Sequence, residues 1–515
     1  MSELAVANRN GIWAFIMRNT YRPGLLSGQF NGLVSNPPWL AMSGLAENPY
    51  KEILSARAKL YGIRPSAQSF LHLELGTTHL IHAVDRYLKP GASVACLVPG
   101  TIFNGHHHQA FRDHQFISAS RPVFLKIDEV WQVARHTFKY PGAAVIGCKC
   151  AHADDLSSTT ISGFVASENG LEAVDFSVRT IGSGRTAWIL EKGGLPATSS
   201  GLVDLPQQGA DLMPRTCVCI DILNDGNNGG DEIRVNTPDQ HSEWGFTVKA
   251  AKKLKDERFS GWVAPRFIHH MVQSENLLPF MLGRHCAPIA IPAERSEDGD
   301  WVIHDESDIR RMGYIRTARR FERINAKLLK VGKGQTLQQR IDERGKLSKQ
   351  VFGKEGYLVL TGAGGKYICA AYLPAEDACG CVIDQTVYWQ IVNTLAEAYY
   401  HVGILNSDAL TVAITPFNPK GEFGERHIHT LPYRLMPPFD PLNNEHMRIS
   451  EIAQYLENES RAIVENDGYL RDPGRALHVR RRKLREQLKD LDEFKELEVL
   501  CAALLGTTAG YDEDA

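Results

Sequence analysis

Phe30-Asn31-Gly32-Leu33-Val34-Ser35 runs into Asn36-Pro37-Pro38-Trp39, an apolar strand that stops in an asparagine, two prolines and an aromatic. Consecutive prolines fix φ and remove two backbone donors, so the turn is stiff and its carbonyls point one way. Beyond a polar stretch, Phe70, Leu71, Leu73, Leu75, Leu80, Ile81, Ala83 and Val84 recur at helical spacing and predict a helix over 69–87. Leu88-Lys89-Pro90-Gly91 ends it with proline and glycine, and an apolar strand over 93–99 follows, then a turn at Asn104-Gly105. Further on, a strand over 122–130 and one over 143–147, the latter introduced by Phe138-Lys139-Tyr140-Pro141-Gly142, read as a hairpin or adjoining strands. The fold class expected is α/β: an incomplete doubly wound, Rossmann-like sheet over 1–155.

The loop's residue types suit an exocyclic amino group. The lone pair of an adenine N6 is delocalised into the ring, which makes it a poor nucleophile. Two acceptors, the Asn36 side-chain oxygen and the Pro37 carbonyl, can hold both N6 protons and localise that lone pair. Pro38 keeps the backbone rigid, and Trp39 offers a face on which an extruded base can stack. On the tetrapeptide alone, an ordinary Pro-Pro turn after a strand fits as well.

With its context, the segment from about residue 11 to 150 resembles the catalytic half of a class I DNA adenine-N6 methyltransferase, of the large fused restriction-modification and phage-defence kind. The resemblance rests on the Asn-Pro-Pro-aromatic loop, the Lys-Pro-Gly helix end and the strand closing in Pro99. It implies methyl transfer from S-adenosyl-L-methionine to a flipped adenine, with Asn36, Pro37, Pro38 and Trp39 as the base-gripping loop. Phe138 matches the ring that stacks on the adenine in that family, and reads equally as a core phenylalanine. Cytosine N4 uses the same loop chemistry; the overall resemblance favours adenine.

In the commonest motif order of that family a glycine-rich cofactor turn lies upstream of the loop. No Phe-x-Gly-x-Gly turn precedes residue 36, nor is there a downstream acidic residue to hold a ribose. The cofactor-binding residues are therefore left unassigned. The expectation is a partner chain carrying the glycine-rich half, with a truncated product or a permuted order as alternatives. The string Tyr357-Leu358-Val359-Leu360-Thr361-Gly362-Ala363-Gly364-Gly365-Lys366 is the one permuted candidate. No clean helix follows it, so a hairpin turn is the better reading, and it misses the phosphate-loop spacing.

The 515 residues, 43% of them hydrophobic, suggest about three or four domains. The divisions expected are 1–155 for the catalytic part, 156–345 and 346–445 for a mixed α+β target-recognition region, and 446–515 for a helical C-terminal segment. No apolar run is long enough to span a membrane and no basic-then-apolar leader is present, so a cytoplasmic location is expected. The net charge of −3 is uninformative for nucleic acid, but its distribution is not. Residues 310–349 hold 13 Lys/Arg against three acidic residues. Arg316, Arg319, Arg320, Arg323, Lys327 and Lys330 recur at helical spacing and predict a positive face able to neutralise the phosphates of double-stranded DNA. A second cluster, Arg475 and Arg480 to Arg485, alternates with acids further along and reads as a helix packed on a partner.

Within 346–445, an amphipathic helix is predicted over 388–401, ending in Leu405-Asn406-Ser407. Arg426 and His427, before Leu431-Pro432, are candidate base contacts. Asn224 to Gly230 reads as a mobile tip. Ten cysteines include three Cys-x-Cys pairs, a spacing that suits strand neighbours better than zinc. His106-His107-His108 opens a probable helix, and consecutive residues point apart, so no metal site is expected there. Two function classes remain: the catalytic and recognition part of a methyltransferase, and a DNA-binding module that senses adenine without transferring methyl.

Overall fold

The computed structural model describes residues 12–45, 49–64, 73–114, 116, 122–133, 137–138, 141–153, 160–167, 170–181, 185–190, 205–223, 231–238, 254, 257–283, 286–331, 334–363, 367–417, 431–472 and 474–507. Helix α1 (Ile12–Leu25) precedes β1 (Phe30–Ser35), and α2 (Tyr50–Leu60) and α3 (Leu75–Tyr87) intervene before β2 (Leu88–Pro99). β1 and β2 are parallel, as a strand-helix-strand crossover requires. β3 (Leu125–Gln132) and β4 (Gly142–Lys149) pair antiparallel, and β4 lies antiparallel to β2. β5 (Thr160–Ser167), β6 (Gly170–Ile181) and β7 (Arg185–Leu190) complete one seven-stranded mixed sheet in the order β1-β2-β4-β3-β5-β6-β7.

The helix end was legible in the sequence. α3 stops at Tyr87, and the Lys89-Pro90-Gly91 that follows forms a bulge: Phe30 faces Leu88, but Gly32 already faces Ser93. Gly91 adopts φ +81, which favours glycine. Lys149 donates to the carbonyls of Asp85 and Leu88 at 3.0 and 2.8 Å, a cation on an α3 C-terminus that would otherwise keep unpaired acceptors. One face of the sheet is core: Leu80, Ile81 and Val84 of α3 pack with Val94, Cys96 and Val98 of β2 and Val145 of β4.

Two compact units divide the chain: 1–194 with 414–428, and 195–413 with 429–515. The boundary expected at 155 falls inside the first of these units. β5 pairs parallel to β3 through Glu129↔Ser162 to Gln132↔Val165, so β5, β6 and β7, which fall in the stretch assigned to target recognition, extend the first unit's sheet.

The second unit holds several small sheets, among them a four-stranded one with Tyr357–Gly362 at its centre. That strand pairs antiparallel with Ala370–Pro374, which is the hairpin expected of the glycine string. The helix predicted over 388–401 is corrected. Val387–Val392 is a strand that pairs antiparallel with Tyr357–Gly362 and buries Val387 and Trp389 on one face, and the helix α5 (Leu395–Asn406) starts only after Thr394, whose hydroxyl accepts from the Glu397 amide. α5 is not amphipathic either, since every residue from Ala398 to Asn406 is buried. Asn406 closes it by donating to the Ala370 and Val402 carbonyls, both at 2.9 Å. Helices α6 (Asn444–Asn466), α7 (Leu477–Lys489) and α8 (Asp492–Leu505) follow, with a single helical turn at Gly468–Arg471 between the first two.

α7 carries most of the second arginine cluster, and three of its arginines are internal pins while Arg482 stays exposed. Arg480 donates to the Leu470 carbonyl, Arg481 to those of Ser274 and Leu277, and buried Arg485 to the Asp408 carboxylate. All ten cysteines are free. Among the described residues no helix is long and apolar enough to cross a membrane. Residues 224–230 and 418–430, with the predicted tip, Arg426 and His427, lie outside the described residues.

His401 in α5 is fully buried, with neither ring nitrogen hydrogen-bonded, and burial pushes it down to about 4. A lowered imidazole stays neutral in the fold, while the unfolded chain takes up a proton below about pH 6.5. Its contribution is therefore intact above that pH and lost as pH falls towards 4, by on the order of 3 kcal/mol. His401→Phe is expected to narrow the gap between unfolding free energies measured at pH 7 and pH 4.5. An unchanged gap refutes this.

Candidate functional site

The tetrapeptide stands at the C-terminal end of β1, where a parallel strand hands the chain to a loop. Asn36 is exposed, Pro37 buried, Pro38 exposed and Trp39 half-buried. Two contacts hold the turn from behind. The chain after the loop pairs with the chain entering α3, with Leu75 N donating to Leu40 O at 2.9 Å and Met42 N to Leu73 O at 3.0 Å. A Cβ at Gly76, in the first turn of α3, would lie 3.3 Å from the Pro38 carbonyl oxygen and 3.4 Å from the Pro37 ring. The buried proline anchors the loop on α3, which leaves the preceding asparagine facing out.

Trp39 and Phe138 come together, their ring centroids 4.8 Å apart and tilted at 55°. The Trp39 indole N–H donates to the Leu97 carbonyl of β2 at 3.4 Å. The rings thus touch each other in a tilted pair, and a nucleobase can meet this pair only on an outer face or by parting it. One further residue shapes it. A Cβ at Gly142 would stand 2.6 Å from Trp39 Cη2 and 3.2 Å from Phe138 Cδ2, so β4 must begin with a glycine for both rings to fit. The Pro141-Gly142 dipeptide after Phe138 was the available signal.

The other candidates lie in the second unit. The basic stretch is not one helix. It is broken into Glu306–Arg311, α4 (Ile315–Leu328) and Leu337–Ile341, with Gly313 at φ +94 between the first two. The continuous positive face expected there is corrected as well. Arg320 is 1% exposed and donates to the carbonyls of Phe259 (3.1 Å) and Cys217 (3.5 Å). Burial lowers its guanidinium to about 10, still charged at neutral pH. Arg316 stacks over Trp262 at 4.6 Å and faces Glu232 at 3.8 Å, Lys327 pairs with Glu257, and Arg323 donates to the Ser260 carbonyl. Helical spacing counted charges around α4, whereas the fold turns one inwards and gives two others acidic partners. Of the six, Arg320 alone is buried; Arg319, Arg323 and Lys330 are exposed, as are Arg316 and Lys327 beside their acidic partners.

One cluster escaped the sequence reading. His107 and His108 occupy a single tight turn after β2, and both turn towards Glu74, at 3.7 and 3.6 Å. The Thr101 hydroxyl donates to Glu74 Oε1 at 2.7 Å, and the Thr77 hydroxyl lies 3.1 Å from His108 Nε2. Burial pushes His108 down to about 3, with His107 adding to the effect. Burial acts to raise Glu74, but His108, His107 and Thr101 outweigh it and keep the carboxyl below its ordinary value. The expectation that consecutive histidines point apart fails because a tight turn, unlike a strand, brings both rings to one side.

No family model matches the sequence, and no curated protein does. Solved structures do match. The Type IIL restriction-modification enzyme MmeI in complex with DNA aligns over 94% of this chain and 55% of its own, at 13% identity and TM-score 0.50. The chain has a restriction-modification enzyme's fold. A DrdV–DNA complex aligns over 86% of this chain and 45% of its own, at 10% identity and TM-score 0.40. A nuclease-deletion mutant of the Type ISP enzyme LlaGI with a DNA substrate mimic gives 86%, 42%, 11% and 0.39. The chain spans about half the length of the first of these.

Proposed function

We propose that this chain is the base-gripping and recognition part of a DNA methyltransferase that modifies N6 of a flipped adenine, within a restriction-modification or related defence system. The observation that carries the reading is the exposed Asn36 at the end of a parallel strand, with Pro37 buried behind it and Trp39 beside it. An amide oxygen and a fixed carbonyl accept the two N6 protons there, and the indole supplies a stacking surface for the extruded base. Likeness to MmeI, described in complex with DNA, supports double-stranded DNA as the substrate.

S-adenosyl-L-methionine belongs to this reading as the methyl donor. The described residues do not fit it by themselves: the glycine string after Tyr357–Gly362 sits in an antiparallel hairpin, with no helix N-terminus to face a ligand. The cofactor half belongs on a partner chain, and β1 supports this. Among the described residues β1 pairs with β2 alone, and it exposes Val34 at 90% and Phe30 at 42%. An exposed apolar strand edge is a template for a further strand.

The test is co-production of the chain with the product of its neighbouring gene, followed by transfer of labelled methyl to duplex DNA and identification of the modified base. Methyl recovered on adenine N6 supports the reading; reproducible duplex binding with no transfer by the complete assembly refutes it and leaves the sensing module. In the same assay Trp39→Ala is expected to lower kcat/KM by roughly 5–150-fold, the equivalent of about 1–3 kcal/mol of base stacking, with duplex affinity nearly unchanged. Parallel loss of both would count against a stacking role.

A further inference from the structure

Glu74 is the N-cap residue of α3, yet its carboxylate makes no capping bond to the helix amides. An acid at a helix start ordinarily takes those amides. Here the side chain turns instead to His107 and His108, and one of its oxygens, Oε2, is buried without a hydrogen-bond partner. The closest approaches are Oε1 to His107 Nε2 at 3.7 Å and Oε2 to His108 Nε2 at 3.6 Å, both beyond hydrogen-bond range. They are close to the spacing of two donors on one tetrahedral ion, which for bonds of about 2.0–2.1 Å is roughly 3.4 Å.

We propose that Glu74, His107 and His108 form a binding site for a divalent transition-metal ion, zinc in preference to others. One donor atom from each side chain lies within 4.8 Å of the other two. Two imidazoles and a carboxylate are a donor set that suits zinc, with a fourth position left for water. Magnesium and calcium prefer all-oxygen shells and are disfavoured. The surroundings supply support for the ligands. The Thr101 hydroxyl fixes the carboxylate through Oε1, and buried Arg112 donates to the carbonyls of Ile102 and Gly105, at 2.8 Å each, which holds the turn that carries the histidines. The Thr77 hydroxyl beside His108 Nε2 gives way when the ion binds.

The site joins the turn after β2 to the start of α3. Gly76, two residues beyond Glu74, packs beneath Pro37 and Pro38. A bound ion therefore stiffens the support of the loop that carries Asn36. This inference depends on the geometry of the three side chains and not on the methyltransferase reading, and its test involves no methylation.

Untagged full-length chain is stripped with chelator and titrated with zinc chloride by calorimetry, then with cobalt chloride by absorption spectroscopy. One equivalent of zinc, a rise in unfolding temperature on loading, and the intense visible bands of four-coordinate cobalt are the expected results. Glu74→Gln, nearly isosteric, is expected to reduce affinity at least 100-fold. His107→Gln provides an independent variant should Glu74→Gln fail to give the native circular dichroism spectrum. Less than a tenth of an equivalent bound by the native chain overturns the proposal, as does full binding by a folded variant of either residue.

Discussion

Asn36→Ala is expected to lower methyl transfer by about 10²–10³-fold or more, judged by what loss of one preorganised hydrogen-bonding group costs at a charged transition state. The proposed chemistry explains the size of the effect. The amino nitrogen attacks only as its lone pair leaves conjugation, and its protons become more acidic as it does so. An acceptor aimed at them is thus stronger in the transition state than in the ground state, so the loss falls on kcat more than on KM. Asn36 is exposed, so unfolding free energy should change by no more than about 0.5 kcal/mol. The assay is labelled-methyl transfer by the complete assembly, beside denaturant unfolding of the chain. Transfer retained within threefold would remove the loop from catalysis.

The second large effect is on stability. Arg320→Ala should destabilise the fold by about 3–5 kcal/mol, because it empties a well-packed site and leaves the Phe259 and Cys217 carbonyls without their donor. Arg319→Ala, one residue earlier and exposed, should change stability by less than about 0.5 kcal/mol. If exposed cations of α4 contact phosphates, it is Arg319→Ala that flattens the salt dependence of DNA binding. Denaturant midpoints and affinity against salt for the two variants separate these roles. A stable Arg320→Ala that binds DNA poorly would restore the reading taken from helical spacing.

That contrast shows where the sequence was informative. The ends of β1 and α3 were legible because their punctuation is covalent, prolines after the strand and Pro90-Gly91 after the helix, whereas α2 was passed over as a polar stretch and α3 starts at Leu75 rather than at 69. The hairpin at 357–374 was legible because its glycines had no helix to introduce. Trp39 and Phe138 were both named as base-stacking candidates, and the fold brings them to 4.8 Å. Position along a helix does not reveal which side faces the interior, so Arg320 looked like its neighbours. The strand at Val387–Val392 was concealed by the apolar residues that run on into α5. Contacts between distant segments were beyond a linear reading: Glu74 meets His107 and His108 only after a crossover, and Gly142 is needed only because two aromatics meet above it.

The bare rim of β1 has a practical consequence. Among the described residues β1 has a neighbouring strand on one side alone, so two copies can pair through the edge beside Val34 and Phe30. Recombinant material should then tend towards soluble aggregates. A lysine at position 34 is the remedy that strand chemistry recommends.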